Sequence, residues 1–135
     1  MNVGDPEVQK MREAALSACQ NAYCPYSKFP VGAAVLSAEG EIFAGCNVEN
    51  ASYGLTICAE RNAIFQAVAN GRRSFSAVVI VTPTDLPASP CGACRQVINE
   101  FGPDADVFIF GQSNTATHLK MSKLLPEAFG PRNMV

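Results

Sequence analysis

Three cysteines and one glutamate, at spacings that suit a single metal ion, constrain this chain more than any other feature in it. Cys58-Ala59-Glu60-Arg61 is answered further along by Pro90-Cys91-Gly92-Ala93-Cys94-Arg95. Cys91 and Cys94 are i and i+3, so the first turn of a helix presents both sulfurs to the same ion, and Cys58 supplies a third ligand. Three protein ligands, an open fourth position and a carboxylate beside it are what Zn²⁺ needs to activate a water. Glu60 lies only two residues past Cys58, and i and i+2 point apart in a regular helix. Both serve one site only if Cys58 sits at a helix mouth, which predicts a helix starting within a residue or two of position 58.

At 135 residues the chain suits one domain, residues 1–135, with a single core. The formal charge of −2 gives no electrostatic reason to expect a nucleic-acid partner. Arg72-Arg73 is the one adjacent basic pair and reads as a solvated helix end. No apolar run approaches the roughly 20 residues of a membrane span, and acids are mixed with bases at the N-terminus, so the expected location is cytoplasmic. The six cysteines therefore suggest metal chemistry and not disulfides. Cys19, Cys24 and Cys46 have no partner spacing and are expected to be small buried thiols. His118, the sole histidine, is not needed by a three-cysteine site and is expected on the surface or in a structural role.

In chain order, Asp5-Pro6 opens a helix expected to run to about Tyr23, with Val8, Met11, Ala15 and Ala22 on a helical period. Two prolines make 24–30 an irregular loop. Val31 to Ala38 and Glu41 to Val48, separated by Glu39-Gly40, read as a β-hairpin. The polar stretch 47–54 is a site-building loop. A helix over Ala59–Asn70, a central strand at Ala77–Val81 and a helix from Cys91 to about Phe101 follow. Asp106–Phe110 reads as a strand, Thr115–Leu119 as an edge strand, and Met121–Phe129 as a helical turn with Pro126. Strands and helices alternate after the hairpin, so the class is α/β, a three-layer α/β/α arrangement around a mixed five-stranded sheet.

Cys-Ala-Glu followed by Pro-Cys-Gly-Ala-Cys resembles the zinc nucleoside deaminase signature. The likeness continues through Pro25-Tyr26-Ser27-x-Phe29, Asn47-Val48-Glu49-Asn50-Ala51-Ser52-Tyr53 and Leu124-Leu125-Pro126-x-Ala128-Phe129. Over nearly its whole length the chain is similar to the small, three-cysteine cytidine deaminases. The resemblance implies hydrolysis of cytidine and deoxycytidine to uridine and deoxyuridine plus ammonia, with one Zn²⁺ per subunit on Cys58, Cys91 and Cys94. It gives Glu60 the proton transfers, Asn47 and Glu49 the sugar, Phe29 the base, and backbone groups at Ala59 and Ser89 the pyrimidine edge. It implies a homotetramer in which Tyr53 and Phe129 reach a neighbouring subunit's pocket. By residue type alone, Asn47 also suits a strand-ending turn, Phe29 a loop anchor in the core, and Phe129 either an interface or its own core.

Two other readings compete. A structural zinc would need a fourth ligand, for which Cys24, Cys46 and His118 are the candidates. The same chemistry on another substrate would give a polynucleotide-editing, guanine or blasticidin-type deaminase. The acidic balance disfavours the first of these, Asn47 and Glu49 disfavour a free base, and the full 47–53 and 124–129 segments are closer to the nucleoside enzymes.

Three thiolates on Zn²⁺ leave a net charge of −1, which opposes loss of a proton from bound water. Arg61, three residues after Cys58, and Arg95, four after Cys91, share a helix face with a ligand sulfur and would offset that charge, as would two helix N-termini. Removing such a cation disfavours the deprotonated form, so Arg61→Ala should move the acid limb of the pH–rate profile to higher pH. An unmoved limb would remove this role.

Overall fold

The computed structural model describes residues 1–134, and among them one five-stranded sheet carries the fold. Its strands are β1 (Gly32–Ser37), β2 (Ile42–Cys46), β3 (Phe75–Val81), β4 (Asp106–Phe110) and β5 (Ala116–Lys120), in the order β2-β1-β3-β4-β5. β3 is central, as its unbroken apolar run requires: a strand covered on both faces has no polar side. It pairs parallel with β4 and antiparallel with β1, and β2 and β5 close the two edges by antiparallel pairing. The sheet is therefore mixed, and Gly40, at φ +91°, makes the turn between β1 and β2.

Alternation along the strands divides the core in two. Ala34, Leu36, Ala77, Val79, Val81, Phe108 and Phe110 face helix α1 (Pro6–Cys19), meeting Val8, Met11 and Ala15. Ala33, Val35, Val78, Ile80, Val107 and Ile109 face the other way, onto α2 (Ala59–Ala69), α3 (Gly92–Phe101) and the single turn α4 (Met121–Leu124). The result is three layers. Val78, Val79, Ile80 and Val81 are wholly buried, each contributing about 1.5–3 kcal/mol of apolar transfer.

Several boundaries differ from the expected ones. α1 stops at Cys19 and not near Tyr23, because Tyr23 gives its backbone groups to the 47–49 segment: its N–H donates to Asn47 O and its carbonyl accepts from the Glu49 N–H. β2 likewise ends at Cys46, and Val48 forms isolated bridges with Tyr23 and Ile57. β3 begins at Phe75, and β5 is displaced by one residue from the expected span.

Both helices that matter for the site start beside strand ends on one edge of the sheet. α2 follows β2, α3 follows β3, and the two strands run parallel because β1 is antiparallel to each. Their N-termini therefore open on the same side. Close packing fixes α2 there. A Cβ at Gly45 of β2 would lie 2.5 Å from Ala63 N and 2.9 Å from Ala59 O, so only glycine lets the helix backbone come this near. Asn62 Nδ2 adds a hydrogen bond to Cys46 O at 2.8 Å. Gly45→Ala must push α2 off the sheet. It should lower the unfolding free energy of the zinc-loaded protein by roughly 1–3 kcal/mol, measured by urea titration.

Candidate active site

Cys58 is the N-cap residue of α2 and Cys91 the N-cap residue of α3, each in extended backbone conformation just before its helix. Cys94 is one turn into α3 and buried. The sulfur of Cys91 accepts the Cys94 N–H at 3.5 Å, the bond an N-cap side chain makes. Thus two helix mouths deliver three thiols, and Cys58 occupies the position that its pairing with Glu60 demands.

The three Sγ atoms lie within 4.8 Å of one another, and those of Cys58 and Cys91 are 3.8 Å apart. Zn–S bonds of about 2.3 Å at tetrahedral angles require sulfurs roughly 3.8 Å apart, so the donor set fits zinc. Among the described residues no fourth cysteine, histidine or acid joins the cluster. Cys24 and Cys46 stay outside it, half-buried where fuller burial was expected, and Cys19 is buried. His118 stands on β5, its Nε2 2.8 Å from Asp106 Oδ1 and its ring stacked on Phe108. A closed structural zinc site has no fourth protein ligand here.

The thiols share protons unequally. Hydrogen bonding from Cys94, reinforced by Arg61 and Cys91 against the effect of burial, brings Cys58 down to about 5. Cys94, donating to Cys58 and buried, is driven in the opposite direction. Arg61 Nη2 donates to Cys58 Sγ at 3.5 Å, so this guanidinium does sit against a ligand sulfur. Arg95 does not: its three hydrogen bonds go to Pro90 O, Leu124 O and Ser89 Oγ. Residue spacing alone could not separate these outcomes, because it gives the helix face and not the acceptor within reach.

Glu60, in the first turn of α2, is only 4% exposed. Burial pushes its carboxyl up to about 7, opposed by a hydrogen bond from its own backbone and reinforced by the charge of Cys58. It lines a cavity of about 260 Å³ together with Cys58, Ala59 and Cys91, with Phe29, Val31 and Asn47, and with Ala88 and Ser89. Glu49, Ser27 and Thr56 line it too and are shared with a neighbouring hollow that includes Tyr26 and Tyr53. The volume is near the lower end of small-molecule pockets.

Asn47 and Glu49 both face this cavity, but each is partly engaged already. Asn47 Oδ1 accepts the Val31 N–H at 2.9 Å and its Nδ2 donates to Phe29 O at 2.9 Å, leaving one amide hydrogen and one lone pair. Glu49 Oε1 accepts from the N–H groups of Tyr26 and Ser27 at 3.0 and 3.1 Å. Hydrogen bonding from Ser27 leads the effects that hold its pKa below the ordinary value, so Glu49 is a carboxylate with Oε2 unengaged. Tyr53 is 74% exposed, edge-on to Tyr26. Phe129 is 59% exposed and lies outside the cavity lining of its own chain. Thr56, Ser27 and Ala88 were missed by the sequence reading; small residues without distinctive chemistry carry no signal until the loops are placed around the cavity.

Three cysteine sulfurs that fit zinc, beside a buried carboxyl and a small cavity in an α/β/α sandwich, define a zinc-dependent hydrolase. Residues 6–110 match the cytidine and deoxycytidylate deaminase zinc-binding region, and the chain belongs to that family. It is 46% identical to the cytidine deaminase of Sporosarcina psychrophila over 95% of each chain. It is also 46% identical to that of Halalkalibacterium halodurans, over 93% of this chain and 96% of the relative. The crystal structure of cytidine deaminase from Burkholderia pseudomallei superposes with a TM-score of 0.85 at 48% identity, covering 90% of this chain and 98% of that one.

Cobalt substitution tests the ligand set. The Co²⁺-loaded protein should show the thiolate-to-metal absorption of a tetrahedral sulfur-rich site, and Cys94→Ser should weaken these bands and lower metal affinity at least tenfold in a competitive chelator titration.

Proposed function

We propose that this chain deaminates cytidine and deoxycytidine hydrolytically, consuming water and yielding uridine or deoxyuridine and ammonia. The observation that carries this reading is the placement of Glu60 beside three converged sulfurs in a cavity that Asn47 and Glu49 also line. Cys58, Cys91 and Cys94 would hold the zinc, which when bound supplies the Lewis acidity that makes water a nucleophile near neutral pH.

The remaining chemistry belongs to the chain. Glu60 carries protons: a buried carboxyl beside the ligand sulfurs is placed to pass them to pyrimidine N3 and to the departing amine. Asn47 offers its free amide hydrogen, and Glu49 its free Oε2, to ribose hydroxyls. Phe29 packs on the base, and backbone groups at Ala59 and Ser89 meet its edge. Nothing in this set demands a 2′ hydroxyl, which supports use of both sugars.

The working unit in this reading is a homotetramer of 1–135 catalytic domains, most simply of D2 symmetry. Tyr53 and Phe129, exposed large aromatics, support it by being available to a neighbouring subunit's pocket. A cytoplasmic location in pyrimidine salvage is consistent with three ligand thiols that must stay reduced, and no helix among the described residues is long and apolar enough to cross a membrane.

Glu60→Gln removes the proton carrier and leaves the three sulfurs in place. It should retain one zinc per chain by metal analysis and lose cytidine turnover by several orders of magnitude, followed by loss of cytosine absorbance. Wild-type protein that leaves cytidine, deoxycytidine and their absorbance unchanged would overturn the assignment.

A further inference from the structure

Arg95 extends from the first turn of α3 to three acceptors in three directions. Its Nε donates to Pro90 O at 2.8 Å, its Nη1 to Leu124 O at 2.9 Å, and its Nη2 to Ser89 Oγ at 2.9 Å. Ala88 and Ser89 form one wall of the cavity. Among the described residues, the hydrogen bonds that reach residues 88–90 come from this one side chain. Upstream, the loop is braced separately, by the Thr82 hydroxyl on Leu86 O and by the Gln112 N–H on Thr84 O. Leu124 ends α4, where the tail begins, and the next residue of α3, Gln96, holds that tail again through Phe129 O at 2.8 Å.

We propose that Arg95 is a positioning residue for the substrate base: its guanidinium fixes the 88–90 wall of the cavity and locks that wall to the tail. The proposal rests on the reading of the cavity as a pyrimidine nucleoside site. Its physical basis is geometric. A planar fork with five donors satisfies three carbonyl and hydroxyl acceptors at once, whereas an ammonium on a flexible stem cannot span them. Wall displacements of the order of 1 Å at a reacting ligand cost about 100-fold in rate. The position therefore requires the shape of arginine and not only its charge.

Two variants of the zinc-loaded protein separate shape from charge: Arg95→Lys keeps the charge, and Arg95→Ala removes it. Both are expected to raise KM for cytidine and lower kcat/KM by roughly 10- to 100-fold, with zinc content and the acid limb of the pH–rate profile unchanged. Added guanidinium ion should partly restore the alanine variant. Full activity in Arg95→Lys, or an unchanged KM with a moved acid limb, would overturn the proposal in favour of charge balance at the metal. Hydrogen exchange of the zinc-loaded protein without substrate supplies a readout independent of the activity assigned above. The Leu125 amide, which donates to Met121 O in the turn that Arg95 holds, should lose protection in both variants, and unchanged protection would refute the clamp even if cytidine were not the substrate. Should neither variant fold, Ser89→Ala, which removes one contact, must still raise KM; an unaltered KM would refute the proposal.

Discussion

Bringing three thiolates together is the constraint on which the rest of the structure depends. At 3.8 Å two unit negative charges repel by about 4 kcal/mol even at an effective dielectric near 20, and three such pairs are involved. The protein meets this cost in several ways at once. Both helix N-termini direct partial positive charge at the sulfurs, and Arg61 donates to Cys58. A dication binds the deprotonated sulfurs, which couples metal affinity to pH and to the integrity of two separate helix mouths. The site therefore exists only where the sheet holds α2 and α3 side by side.

That placement is a matter of small residues. Ala59, Ala63 and Ala67 recur every fourth position along α2, all wholly buried, and give the helix a flat face toward the sheet. Gly45 removes the last obstruction on β2. On the opposite face Gly32 does the same for α1, since a Cβ there would overlap Ala15 O. Larger side chains would raise α2 off β2 and α1 off β1, and at this range an ångström separates a chelating trio from three unrelated thiols.

How far the sequence could be read follows from which physics is local. The helix mouth at 58 was legible because Cys58 and Glu60 can share a site in only one backbone arrangement, and the central strand because its apolar run is continuous. The end of α1 was not legible: propensity continues to Tyr23, and what stops the helix is pairing with residues 47–49. Arg61 and Arg95 show the same limit at the site. Both stand at helical spacing from a sulfur, yet one reaches it and the other turns to loop carbonyls brought close by the fold. The prior engagement of Asn47 and Glu49 was equally hidden, because their partners at 26–31 lie across a turn whose shape only the assembled structure defines.

Glu60 brings these strands of argument together. Its burial raises the carboxyl, and so does the thiolate charge beside it; the N-terminal end of α2 and Arg61 act in the opposite direction. A fully exposed glutamate would remain ionised and hold a proton too weakly to pass it on. A buried one with no opposing influence would hold it too tightly. Anchoring the residue in the first turn of α2 joins both effects in one position: the turn is deep enough to exclude water from the carboxyl and close enough to the helix end to feel its field. The same anchoring places Glu60 two residues from a ligand and therefore beside the metal but off it. Proton affinity and geometry are thus both set at one helix start.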